Sequence, residues 1–241
     1  MNKLLFILFF SVSVWAISPD AIIKNVEHNI QSDSGYSKIT MSVTTARGER
    51  TMIMESWNRG HEKSFIKVLY PKQDRGITFL KVESTMWQYV PKIEKTIKIP
   101  SSMMMQSWMG SDFTNDDMAK ESSIVDDYNA QLTSEDAKKY TLTLYPKEEA
   151  AVVWGKIVME VEKVHCIPLR AIFYNEEGEQ QRILTYSEVK VYGDRYLPTV
   201  MTLVPLDKKK NKTVVTMEDV DFNAVIDDSR FTKNALVRYS Q

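Results

Sequence analysis

The chain has 241 residues, 43% of them hydrophobic and 26% charged, with a formal net charge of −1. That near-neutral balance excludes the basic stripe on which nucleic-acid binders depend. A single cysteine, Cys166, excludes both an intramolecular disulfide and a cysteine-based zinc cage, and reads as a small buried hydrophobe.

The first element is a leader. Lys3 supplies positive charge, residues 4–14 are apolar, and Val14 and Ala16 place small side chains at the −3 and −1 positions of a cleavage site. Cleavage after Ala16 should leave residues 17–241 as one exported, soluble domain. An uncleaved anchor is the alternative, although the run is short against the roughly 20 residues of a membrane span. A helix then opens at Ser18 and Pro19, a good N-cap followed by a good first helical residue. Ile22, Ile23, Val26 and Ile30 share one face of it, and Lys24, Asn25, Glu27 and Gln31 another.

From Tyr36 the period changes to two. Residues 38–44 alternate, Gly48 and Glu49 turn the chain, and residues 50–57 run back. Asn58-Arg59-Gly60 turns again, and further short strands fill residues 65–99. The second half behaves alike between residues 140 and 222, with turns at 175–178 and 207–211, and residues 228–231 close the chain through a short turn of helix. Ten or eleven strands, each with a dry and a wet face, imply one large curved antiparallel sheet that must close or be covered. The expected fold is mainly β: an incomplete antiparallel barrel plugged by helices.

Residues 101–127 break the alternation. Thr114 with Asp117 three residues later marks a helix start. Ahead of it lie Met103, Met104, Met105, Trp108, Met109 and Phe113. Methionine is unbranched and polarizable, which suits a lining for a ligand without fixed shape. Trp57, Trp87 and Tyr89 are candidates to extend that lining. The competing assignment makes the methionines ordinary core at the barrel mouth and the three aromatics plain sheet packing. A lipid suits a loose site. At about 0.8 kcal/mol per methylene, some thirty acyl methylenes would gain about 24 kcal/mol gross, beyond the roughly 18–21 kcal/mol ceiling of non-covalent binding.

Reaction chemistry is harder to find. His28, His61 and His165 are far apart and lack metal-ligand spacing. Asp112, Asp116 and Asp117 lack the alternation and glycine of a calcium loop and fit helix capping better. No nucleophile has a base beside it in sequence, so no catalytic residue, metal or cofactor is expected, and the chain reads as no enzyme. Lys208, Lys209, Lys210 and Lys212 form a basic tip, either a solvated hairpin end or a contact for anionic lipid heads.

Two stretches, "MESWNRGHEKSFIKVLYPKQDRGITFL" and "MWQYVPKIEKTIKIPSSMMMQSWMGSDFTNDDM", resemble the LolA-like family of outer-membrane lipoprotein-sorting proteins, in its longer branch. The helix opening at Pro19 and the turn at Asn175-Glu176-Glu177-Gly178 fit too, and Met109 to Asp117 is the most specific part. The resemblance implies a half-open barrel with a helical lid over a hydrophobic cavity. It also implies a monomeric carrier of lipoprotein acyl chains or phospholipid, passing cargo between an inner-membrane exporter and an outer-membrane acceptor. Some members accompany exporters of the resistance-nodulation-division type, which leaves open an accessory subunit that shuttles no lipid. Short carriers of the family latch the lid with a strand arginine. Arg47 and Arg50 both lie near the matching place, and the sequence does not choose between them.

Overall fold

The computed structural model describes residues 17–119 and 124–241. The expected leader and Lys120, at the end of the expected lid helix, lie outside the described residues. Helix α1 spans Pro19–Ile30 and starts as its sequence dictates: the Ser18 hydroxyl accepts from the Ala21 amide at 3.2 Å, and Pro19 follows. Replacing Ser18 by alanine should cost about 1 kcal/mol, read as a shift of the urea midpoint at constant slope. Ile22, Ile23 and Val26 are fully buried, each contributing about 1.5–3 kcal/mol.

Glu27, placed on the wet face by periodicity, is buried instead. Its Oε1 accepts from the amides of Ile124 and Val125, at the start of a short helix α3, Ile124–Asp127. Asn29 is also buried; it donates to the His165 carbonyl and accepts from the Tyr196 amide, both at 2.8 Å. A helix lying in a concave sheet is surrounded, so its buried arc exceeds one stripe, and the polar groups on that arc are hydrogen-bonded.

Thirteen strands follow among the described residues: β1 Ser34–Thr45, β2 Gly48–Arg59, β3 Lys63–Tyr70, β4 Thr78–Val82, β5 Thr85–Val90, β6 Lys95–Lys98, β7 Tyr128–Glu135, β8 Lys139–Pro146, β9 Lys156–Glu162, β10 Pro168–Tyr174, β11 Gln180–Tyr192, β12 Arg195–Pro205 and β13 Lys212–Asp221. They form one sheet in the order β6-β5-β4-β3-β2-β1-β13-β12-β11-β10-β9-β8-β7. Each half is a meander, and the halves join where β1 pairs antiparallel with β13. The result is the expected open half-barrel. The strands exceed the ten or eleven legible in sequence partly because β7 carries almost no apolar signal: only Tyr128 of its eight residues is buried. Strand β9 begins only at Lys156. At Gly155 the chain passes so close to the β10–β11 turn that a Cβ would sit 2.6 Å from the Asn175 carbonyl oxygen, which leaves Trp154 in a loop.

The free edges, β6 and β7, are joined by residues 99–127. The described parts of this connection, residues 99–119 and 124–127, cross the mouth as a lid, carrying helix α2, Asn115–Ala119, and then α3. Under it lie two apolar clusters. One gathers α1 with β8, β9 and their neighbours (Ile22, Leu142, Met159). The other gathers the lid with β1 to β5 (Trp108, Met41, Met54, Phe79).

A third cluster lies on the opposite, convex face. There Phe65, Leu80 and Tyr89 pack beneath Phe231, Ala235 and Leu236, contributed by a 3-10 turn at Asp228–Phe231 and helix α4, Lys233–Arg238. Strand β3 is therefore dry on both faces.

Candidate functional site beneath the lid

The lid begins with a reversal. Met109 and Gly110 have φ of +50° and +74° in succession, a left-handed pair in which glycine carries no steric cost. The turn sets the Trp108 indole against Phe79, ring centres 5.2 Å apart, and Trp108 is 1% exposed. Ser111 Oγ donates to the Trp108 carbonyl at 2.7 Å.

Asp112 then ties the lid to the start of β13. Its amide donates to Thr213 Oγ1 at 3.0 Å, and its carboxylate accepts from Thr213 Oγ1 at 2.8 Å and Asn211 Nδ2 at 3.1 Å. Helix α2 opens with the expected capping box: the Thr114 amide donates to Asp117 Oδ2 at 2.8 Å, and the Asp117 amide to Thr114 Oγ1 at 3.1 Å.

Asp117 has a second partner that periodicity did not supply. Arg182, on the concave side of β11, grips it through two parallel bonds, Nη1 to Oδ2 at 2.7 Å and Nη2 to Oδ1 at 2.6 Å. The side chains are only 9% and 17% exposed. The guanidinium lies 4.3 Å from the Trp154 ring and 4.5 Å from Phe173, and its Nε is buried without a hydrogen bond. Burial pushes the Asp117 carboxyl up, but the bonds and charge of Arg182, with the Thr114 amide and hydroxyl, outweigh it and hold the pKa below the usual carboxylate value.

Of the two arginines considered from sequence, Arg50 pairs with Asp74 at 3.2 Å, and Arg47 lies exposed in the β1–β2 turn. The strand arginine bonded to the lid carboxylate is Arg182. A signal for it existed: Arg182 alternates with Leu184 and Tyr186 on a dry face, where a charge demands a partner.

Two chambers flank this ion pair. The first, about 230 Å³, is lined by Met41, Met54, Met118, Met201 and Met217, with Trp108 and Phe113 above. The second, about 290 Å³, is bordered by Tyr128, Trp154, Phe173, Arg182 and Tyr186. Phe113 and Asp117 line both. Neither alone reaches the roughly 300 Å³ floor of small-ligand sites; together they do.

Of the residues singled out from sequence, Trp108 and Phe113 line the first chamber. Met104 and Met109 are partly buried against the cluster beneath it. Met103 and Met105 face solvent, at 37% and 54% exposure, because the lid's first turn has only one inner side. Trp57, Trp87 and Tyr89 lie on the convex face with the C-terminal segment, Arg230 stacking over Trp57 at 4.0 Å and Lys233 over Trp87 at 4.8 Å. They do not extend the lining, since strand parity puts them opposite Ser56 and Met86. Methionine still dominates the hollow, but mostly from strands.

His28 bonds to Asp194 at 2.9 Å, His165 stacks on Tyr196, and the His61 carbonyl accepts from Lys81. Among the described residues, no group of His, Cys, Asp and Glu could hold a metal ion, and no helix is long and apolar enough to cross a membrane.

A half-barrel holding an apolar hollow under a latched lid is the LolA-like fold, and comparisons with known proteins agree on that fold. A DUF1329 family protein from Desulfovibrio piger superposes with a TM-score of 0.81 at 21% identity, over 90% of this chain and 97% of that one. A domain from Vibrio parahaemolyticus named for outer-membrane lipoprotein sorting gives 0.78 at 20%, over 91% and 98%. A LolA superfamily protein from Nitrosomonas europaea gives 0.77 at 20%, over 91% and 100%. The model of a family described as "Uncharacterized protein" matches residues 60–238. No curated protein matches. The chain belongs to the family that this model describes, and its fold is that of the LolA-like proteins.

Proposed function

We propose that this protein is a periplasmic carrier that binds the acyl chains of lipoproteins or other lipids in the two-chambered hollow and releases them when the lid opens. The observation that carries this reading is the first chamber, with five methionines in its wall, four from strands and Met118 from the lid. Flexible thioether side chains can repack around chains of varied length and unsaturation. A loose fit keeps affinity near that of a bilayer, which a carrier needs in order both to load and to unload. Export of residues 17–241 after cleavage at Ala16, and handover between inner-membrane and outer-membrane partners, belong to the same proposal.

Filling the chamber tests it. Met118→Trp and Met201→Trp add bulk at partly exposed positions that line the hollow. Each should weaken uptake of a fluorescent acyl probe by the delipidated protein about tenfold or more. Met105→Trp, on the solvent side, should leave uptake unchanged. Equal uptake by all three variants would remove the chamber as the binding site.

A further inference from the structure

We propose that Asp117 is a built-in stand-in for an anionic headgroup, and that Arg182 holds that headgroup in the loaded protein. This rests on the acyl-cargo reading and adds which amphiphiles the hollow selects. The partners of the pair come from different layers. Arg182 belongs to β11, while Asp117 comes from the five-residue lid helix. The guanidinium rests against Trp154 and Phe173, 4.3 Å and 4.5 Å from their ring centres, and neither ring belongs to the lid helix.

Drawing α2 away without a replacement would leave a buried cation among aromatic rings, with Nε already unpartnered. A ligand carrying two oxygens on one centre, a carboxylate or a phosphate, reproduces the fork that Asp117 now fills. Exchange of one anion for another keeps Arg182 paired throughout. A neutral amphiphile cannot do this, so its entry meets the full resistance of the latch.

The surroundings suit such an exchange. Asp117 borders both chambers, so a headgroup at its position can direct a chain into the methionine-lined one. The second chamber is rich in donors: Tyr128 and Tyr186 line it with Arg182. Burial raises both phenol pKa values, Tyr186 to about 12 against the opposing charge of Arg182, so their hydroxyls keep their protons. Asp116 also borders this chamber. It sits on α2 beside Asp117, so displacement of the helix moves both lid carboxylates away from an arriving anion. Trp108, which lines the first chamber, also has its indole N–H buried without a partner.

The test holds the chain constant and varies the head. Oleate, oleyl phosphate and oleyl alcohol are titrated into delipidated protein by displacement of a bound acyl fluorophore. The wild type should bind at least one anion about tenfold or more tighter than the alcohol. The stronger of oleate and oleyl phosphate identifies whether a carboxylate or a phosphate is the natural head, and either result supports the inference. Asp117→Asn should widen the preference several-fold by removing the internal competitor. Arg182→Gln should abolish it, weakening the anions while the alcohol, no longer opposed by the latch, binds as well or better. The double variant, with no net charge at the latch, keeps the comparison open if Arg182→Gln alone fails to fold; it too should show no preference. Equal affinity for all three ligands, or a preference that survives loss of Arg182, would overturn the inference while the carrier reading stands. Failure of every ligand to bind would instead overturn the carrier reading, and this one with it.

Discussion

Asp117→Ala is expected to destabilise the protein by about 3–5 kcal/mol, the cost of leaving a buried charge without its partner. Arg182 is 9% exposed and stacked against two rings, so little water can replace the carboxylate. Arg182→Ala should cost a similar amount, and the double variant much less than the sum, because each single change strands the other group. The cycle is read from denaturant unfolding. A loss below about 1 kcal/mol for Asp117→Ala, the range of an exposed pair, would mean that the guanidinium finds water as soon as its partner goes, and that the pair does not hold the lid shut.

The same pair sets a pH dependence with a definite sign. The Asp117 carboxyl has a lower pKa folded than unfolded: burial alone would raise it, and the Arg182 and Thr114 bonds reverse that. A depressed carboxylate contributes stability above its unfolded value, about 3.9, and loses that contribution as pH falls through the folded value. The stability gap between wild type and Asp117→Asn should therefore be full at neutral pH and shrink only in strong acid. The latch is no acid-triggered switch in the ordinary pH range; opening it calls for a competing anion or a mechanical pull.

Much of this architecture is legible in the residues. Ser18-Pro19 and the Ile22, Ile23, Val26 stripe announce α1, and strict alternation announces the sheet. Thr114 and Asp117 announce the lid helix three residues apart. What is not legible is which face of a strand looks inward once both are buried. Phe65 and Ile66 are neighbours, both apolar and both dry, yet one meets the C-terminal segment and the other lines the hollow. Period two puts Trp57, Trp87 and Tyr89 on one face but says nothing of that face's destination, which is decided by residues 226–239, far along the chain. The Arg182–Asp117 pair is hidden for a similar reason: 65 residues separate the partners, and only closure of the sheet brings them together. Strand β7 stays silent because an edge strand with one buried side chain needs no apolar pattern.

The two-faced sheet leads to the second large effect. Leu236→Ala should cost about 2–5 kcal/mol, the range for emptying a buried leucine site. Leu236 is fully buried among Phe65, Leu80 and Tyr89. Its carbonyl accepts from Thr78 Oγ1 at 2.8 Å, and Thr78 is itself fully buried, so the backbone of α4 cannot follow a smaller side chain into the gap without breaking that bond. The cavity therefore stays open, which favours the upper part of the range. Affinity for an acyl probe should nevertheless stay within about twofold of wild type, because the lesion and the hollow lie on opposite sides of the sheet and share no side chain. Calorimetry gives the first quantity and probe titration the second. If affinity fell along with stability, the convex layer would be part of the binding apparatus, with the C-terminal segment setting the curvature that keeps the methionine chamber open.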